Sequence, residues 1–303
     1  MPDSIESVAI LGTGLIGASV GLALHASGFS GTIVGWDRSS DEAELARLRG
    51  AIDIVAPDPL AAASVSDCIV LAMPVFGILN WIDRLAAALH EGQLVTDVGS
   101  TKQAIYERAA QAFSSSDGSY FLPGHPMAGK EVHGAAYADG ELFRGAVWLF
   151  TPLQPENRPA AEASLQAAKA WRHWVERFGT RTLDLDPKRH DEICAWASHL
   201  PQMLGTALAA LLEDTFPEDG DGGKNLSSSA TQLRAIGGRA MHEMTRLGAS
   251  PFSMWRDIAQ TNDEAIAEAL LALEQRLALI RESLKQPELR EEFQRANRFR
   301  SRF

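Results

Sequence analysis

At 303 residues, with 46% hydrophobic and 22% charged side chains, the chain is long enough for two domains that each bury a core. A formal net charge of -11 argues against nucleic acid or an acidic membrane surface as a partner, because phosphate binding relies on clustered Lys and Arg. Cys68 and Cys194 share no metal or redox spacing and read as small buried hydrophobes of a reducing cytoplasm, so no metal is expected.

The N-terminal "MPDSIES" lacks a basic leader pattern, and no apolar run reaches membrane-spanning length. "SVAIL" then reads as a strand running into "GTGLIGAS", which opens a helix. Gly12, Gly14 and Gly17 stand there in G-x-G-x-x-G spacing, with Leu15 and Ile16 between the last two. Such glycines make a tight turn, let backbone approach a pyrophosphate, and let helix pack on strand; the helix N-terminus then faces the phosphates. The next strand, "GTIVGWD", ends at Asp37, about twenty residues past the last glycine, where an acid takes ribose hydroxyls. Asp37 repels a 2′-phosphate and so favours NAD, while Arg38 softens that preference toward NADP.

After the helical "DEAELARLRG" comes the apolar strand "DCIVLAM", whose exit places Met73 and Pro74 on the ribose side of the cofactor. "FGILNWIDRLAAAL" is a helix, and the strand "GQLVTDVG" leads to Ser100 and Lys102. Ser100 is a candidate both for chemistry and for the N-cap of "STKQAIYERA". "SYFLPG" is a strand and "PGHPMAGKE" a loop holding His125; "GAVWLFTP" is a final strand. Alternating strands and helices imply a doubly wound parallel sheet, whose ligands bind beyond the C-terminal strand ends. Ser100 and His125 share that rim, a hydroxyl and an imidazole that can take an alcohol proton as hydride leaves.

Three prolines in "TPLQPENRP" mark the boundary, giving a Rossmann-type domain over 1–152 and an all-helical domain over 153–303. In the second domain, "AAEASLQAAKAWRHWVERFG", "HDEICAWASHLPQMLGTALAALLED" and "DEAIAEALLALEQRLALIRESL" read as helices. Pro201 must disturb the helix it interrupts, re-aiming His199 beside it. "EDGDGGK" is a solvated acidic loop without EF-hand ligand spacing, and the arginine-rich tail, Arg295 to Arg302, reads as a frayed terminus. The apolar face of "MLGTALAALL" exceeds what this half can hide alone, which predicts a homodimer. His190, Asp191, Arg239, His242, Arg246, Arg256 and Asp257 form polar clusters that serve equally as caps or ion pairs.

Taken in order from about residue 8 to 260, "GLIGAS", "DVGSTK", "HPMAGKE", "HDEICAWASHLP" and "MTRLGASPFSMWRDI" resemble the prephenate/arogenate (cyclohexadienyl) dehydrogenases of tyrosine biosynthesis. That resemblance implies a Rossmann domain followed by a helical dimerisation domain. It also implies NAD(P)-dependent oxidative decarboxylation of prephenate to 4-hydroxyphenylpyruvate, or of arogenate to tyrosine. On its pattern His125 takes the ring hydroxyl proton, Ser100 orients that pair, Arg246 grips a carboxylate, and His199 belongs to the "SHLP" kink. Gln202 stands where many relatives carry a second histidine, and "RAMHE" replaces a common "GGFRD", so the side-chain end of the substrate pocket departs from the pattern. With no further domain after the helical one, any tyrosine feedback is expected at the active site itself. The rival readings are a β-hydroxyacid dehydrogenase, which calls for a lysine base not found beside "SHLP", and a non-catalytic dinucleotide-binding protein on the same fold.

Overall fold

The computed structural model describes residues 5–115, 118–154, 161–217 and 229–302; "EDGDGGK" and part of the proline-rich boundary lie outside them. Six parallel strands form the main sheet: β1 (Ser7–Leu11), β2 (Thr32–Trp36), β3 (Ile54–Val55), β4 (Cys68–Leu71), β5 (Leu94–Asp97) and β6 (Tyr120–Leu122). Their order is β3-β2-β1-β4-β5-β6, with Ala9 of β1 facing Val34 on one side and Ile69 on the other. The winding direction reverses between β1 and β4, which opens a crevice at their C-terminal ends. Every residue of β4 is buried, the reason it reads as an unbroken apolar run rather than an alternation. The connecting helices are α1 (Leu15–Ala26), α2 (Ser40–Leu48), α3 (Pro59–Ser64), α4 (Val75–Ala88) and α5 (Gln103–Ala112).

Past β6 the chain departs from the predicted pattern. Gly124–Pro126, expected as a loop, is the short strand β7 of a second sheet, with β8 (Val147–Phe150) antiparallel to it and β9 (Arg181–Asp184) parallel to β8. Pro126 is tolerated because β7 is an edge strand, and His125 sits opposite Leu149. Helix α6 (Glu162–Arg177) lays Trp171, Trp174 and Val175 into the same core as Phe121 and Phe150. It therefore belongs to the sheet domain, and the chain leaves that domain after Asp184 rather than at the proline-rich segment. The apolar face of α6 covers the sheet, and this tertiary contact outweighs the change in local character that suggested 152/153.

The helical domain comprises α7 (Pro187–Cys194), a π turn over Ala195–His199, α8 (Leu200–Thr215), α9 (Ser229–Ile236), α10 (Arg239–Thr245), α11 (Phe252–Thr261), α12 (Asp263–Glu282) and α13 (Glu288–Arg300). The helix foreseen over residues 190–214 is thus divided. Pro201, in the first turn of α8, has no N–H to return to the preceding turn, and the backbone widens there. The arginine-rich tail is helix α13, tied to α12 by the Arg276–Glu292 ion pair, rather than frayed. Ala195, Ile258 and Ile266 form a small core, whereas Phe252 (76%) and Ile236 (81%) stand exposed. Among the described residues no helix is long and apolar enough to cross a membrane.

Candidate active site

The glycine turn joins β1 to α1 at the crevice. Gly12 has φ +101°, and a Cβ there would fall 2.5 Å from the carbonyl oxygen of Ala72. A Cβ on Gly17 would lie 1.9 Å from the Gly12 oxygen, so this glycine permits helix and strand to meet. Gly14 differs: an added Cβ would meet no protein atom within 4 Å, and as N-cap of α1 it offers no side-chain cap. The first N–H groups of α1 are left for a ligand, and the open space over Gly14 fits a pyrophosphate. Asp37 leaves β2 and accepts the Thr13 N–H at 2.8 Å and the Ser39 N–H at 2.9 Å, which fixes its carboxylate beside the glycine turn.

A cleft of about 720 Å³ runs from this turn to the helical domain. Gly14, Leu15, Ile16, Met73, Pro74, Ser100, His125 and Gln202 all line it, so the structure gathers most of the sequence-predicted residues at one place. Gly12 and Gly17 shape the turn behind it. Asp37 and Arg38 lie outside its lining, at the end of β2. His199 is also outside the lining; it is buried, its Nδ1 is 3.2 Å from Asn262 Nδ2, and its ring meets Trp255 edge-on. Trp255 forms the cleft wall, so His199 backs that wall instead of facing a ligand. Arg246 stands outside the lining, ion-paired with Glu131, which lines the cleft. Gln202 donates to the Leu247 carbonyl at 2.7 Å and accepts from Ser250 at 3.1 Å, so its amide is held in one orientation.

His125 faces the cleft with most of its ring covered. Its Nδ1 lies 2.9 Å from His190 Nε2, and His190 Nδ1 lies 2.8 Å from Asp191 Oδ1. Asp191 also accepts the backbone N–H groups of Lys102 (2.7 Å) and Gln103 (2.9 Å), and so caps α5 from the other domain. Ser100 does not cap that helix, which starts three residues later. This leaves its hydroxyl at the cleft. Beneath it, Lys102 and Asp97 form a fully buried ion pair, and Asp97 accepts from the Gly99 N–H and, at 3.1 Å, the Gly124 N–H. One carboxylate thereby ties the Ser100 segment to the strand that carries His125.

Burial, with His190 and Lys102 adding to it, holds the His125 imidazole well below the ordinary histidine range. Burial also lowers His190, against the pull of Asp191, and brings His199 to about 4. His125 is therefore neutral at physiological pH, the form that can accept a proton. Burial pushes the Asp97 carboxyl up, with Lys102 opposing. His125, His190 and Cys194 place potential metal-ligand atoms within 4.8 Å of one another. Burial, with Asp191 adding to it and Lys102 opposing, pushes the Cys194 thiol up to about 12, so with the two lowered histidines these three side chains serve as neutral hydrogen-bonding groups.

Sequence reading left His190, Asp191, Lys102 and Asp257 without firm roles. The "HDE" at a helix start was the available signal, but that pattern serves caps as readily as sites. Asp257 accepts the Phe76 N–H at 3.1 Å and so caps α4, again across the domain boundary.

A Rossmann-type sheet with an open glycine cradle, a neutral histidine at its rim and a helical wall opposite defines a dinucleotide-dependent dehydrogenase class. Residues 20–172 match the family described as "Prephenate dehydrogenase, nucleotide-binding domain", and residues 186–298 the one described as "Prephenate dehydrogenase, dimerization domain". The chain belongs to the prephenate dehydrogenase family. It is 31% identical over 265 residues to prephenate dehydrogenase of Bacillus subtilis, covering 87% of this chain and 66% of that one. Its fold resembles prephenate dehydrogenase of Aquifex aeolicus in complex with hydroxyphenyl propionate and NAD+, with TM-score 0.81, 26% identity and 98% of both chains covered. It also resembles Synechocystis arogenate dehydrogenase, with TM-score 0.72, 27% identity, and 98% of this chain and 99% of that one covered.

Proposed function

We propose that this chain is an NAD-dependent enzyme that oxidises and decarboxylates prephenate, to 4-hydroxyphenylpyruvate, or arogenate, to tyrosine, in tyrosine biosynthesis. The observation that carries the reading is His125: a buried, neutral imidazole on the same cleft as Gly14 and Ser100. NAD, held over Gly14 with Asp37 at its ribose end, supplies the hydride acceptor. NADP is the weaker alternative, through Arg38. His125 accepts the proton of the ring hydroxyl at C4 while hydride leaves that carbon, and Ser100 orients the hydroxyl. The ring carboxylate then departs as carbon dioxide; its electron pair completes the aromatic ring, and the C4 oxygen recovers a proton as the phenol. Arg246, at the Glu131 rim, takes a substrate carboxylate, and Gln202 meets the keto or amino side chain.

The enzyme acts as a cytoplasmic homodimer; the dimerization-domain match and the exposed apolar residues of the helical half support the pairing. Initial rates with prephenate and arogenate, each with NAD and NADP, test the assignment. His125→Asn should lower kcat roughly 10²–10⁴-fold with cofactor binding near normal. A stable His125→Asn protein with near wild-type turnover removes His125 as the base, and no NAD reduction with either substrate removes the function.

A further inference from the structure

We propose that His190 and Asp191 are positioning residues that set the tautomer of His125, leaving its Nε2 lone pair for the substrate hydroxyl. The inference rests on the reading of His125 as the proton acceptor and adds two residues behind it. The argument is one of donors and acceptors. An ionised carboxylate only accepts, so the 2.8 Å contact with Asp191 requires the proton on His190 Nδ1. A neutral imidazole has one N–H, so His190 Nε2 is an acceptor. The 2.9 Å contact with His125 then requires a proton on His125 Nδ1. His125 Nε2 is left without one, as a base needs.

Asp191 is suited to anchor this chain because it cannot turn. Its two oxygens accept from Lys102, Gln103 and His190, and its own carbonyl accepts from Asn262 at 2.9 Å. It is nearly inaccessible to solvent, as is His190, so no water competes for the contacts. Once His125 is protonated, its Nδ1–H still donates to His190, and the Asp191 charge offsets the imidazolium through one intervening ring. The other charged or titratable groups facing the pair are the buried Lys102–Asp97 ion pair, His199 and Cys194. Lys102 disfavours the imidazolium, which makes the opposing carboxylate the more necessary.

The test is a set of variants read by kinetics and melting. In Asp191→Asn an NH2 in place of Oδ1, the oxygen that also accepts from the Lys102 N–H, would donate to His190 and give up that cap. That donation reverses both contacts of His190 and puts the His125 proton on Nε2, the wrong nitrogen. The same exchange behind a serine-protease histidine costs roughly 10⁴-fold, so a kcat loss of roughly 10²–10⁴ is expected, with substrate KM within a few-fold. The acid limb of kcat/KM should move to lower pH, since the carboxylate no longer favours a protonated imidazole; a purely structural loss lowers the plateau without moving the limb. His190→Gln, which can still accept from His125 and donate to Asp191, should keep much more activity than His190→Leu. Both His190 variants spare the α5 cap, so they report even if Asp191→Asn folds poorly. In a His125→Asn background, His190→Leu should cost nothing further. If those two losses multiply, or if Gln rescues no better than Leu, the relay is refuted while the base assignment stands. Near wild-type turnover of His125→Asn alone would overturn both.

Discussion

The three motif glycines make different demands, and alanine at Gly14 separates ligand space from packing space. Gly14 has φ −68° and extended ψ, which alanine adopts freely, and a methyl there would touch no protein atom within 4 Å. Its cost to the fold is that of alanine in place of glycine at a helix N-cap, about 1 kcal/mol or less. The methyl instead occupies the space over the free N–H groups of α1. A 10- to 100-fold weaker NAD affinity is expected, about 1.4–2.8 kcal/mol. Gly17→Ala is the contrast, since its Cβ would fall 1.9 Å from a backbone oxygen that cannot rotate away. Helix α1 must lift from β1, at about 3 kcal/mol or more. Calorimetric NAD titration and thermal melting on both variants read the two effects. If Gly14→Ala binds NAD like wild type, or Gly17→Ala melts like wild type, this division of roles is wrong.

Wild type should use NAD better than NADP, and Asp37→Ser should weaken NAD and improve relative NADP use; wild-type rates favouring NADP would make Arg38 the reader instead. Arg246→Ala should raise substrate KM and barely alter cofactor affinity. Its side chain is 59% exposed, so the loss should be near tenfold, about 1.4 kcal/mol, rather than that of a buried pair. An unchanged KM would reduce Arg246 to the ion pair with Glu131. The buried histidines give stability a pH dependence of defined sign. Their folded pKa values lie below the unfolded value, so below about 6.5 the unfolded chain binds protons that the folded one does not, and stability falls with pH. With its pKa at about 4, His199 alone should remove about 2 kcal/mol by pH 5. A melting temperature unchanged from pH 7 to 5 would contradict the burial argument.

What could be read in the sequence followed the range of the contacts involved. The glycine turn, Asp37 and five of the six parallel strands are local patterns, each spelled out within about a dozen residues, and they stand where expected; the two-residue β3 is too short to show such a pattern and is not foreseen. The sequence places His125 on the cleft rim, where the structure has it, but does not show the strand that carries it. β7 exists only because Val147–Phe150 pairs with it, and β9 because β8 offers a second edge. Helix α6 carries an unmistakable apolar stripe, but nothing in the stripe says which layer it will cover. The assignments of His199 and Ser100 illustrate the same limit. A polar residue at a kink or before a helix is visible in sequence; whether it faces the cleft depends on side chains far along the chain.

The capping carboxylates explain how two domains make one site. Helices α4 and α5 begin just past Pro74 and Ser100, the two strand exits that line the cleft. Neither is capped by a residue of its own domain. Asp257 accepts from the first turn of α4, and Asp191 accepts the N–H groups at the start of α5. A helix N-terminus deprived of such a cap typically loses about 1 kcal/mol, and a buried carboxylate deprived of its donors loses more. Docking of the helical domain therefore satisfies groups on both sides at once, and the two domains fix each other's orientation beside the cleft. Thr101 and Thr261 add a direct contact of 2.7 Å across the same seam. The adjoining Asp191–His190–His125 chain crosses this seam too, so on the proposed relay the tautomer of His125 depends on a contact that neither domain can make alone.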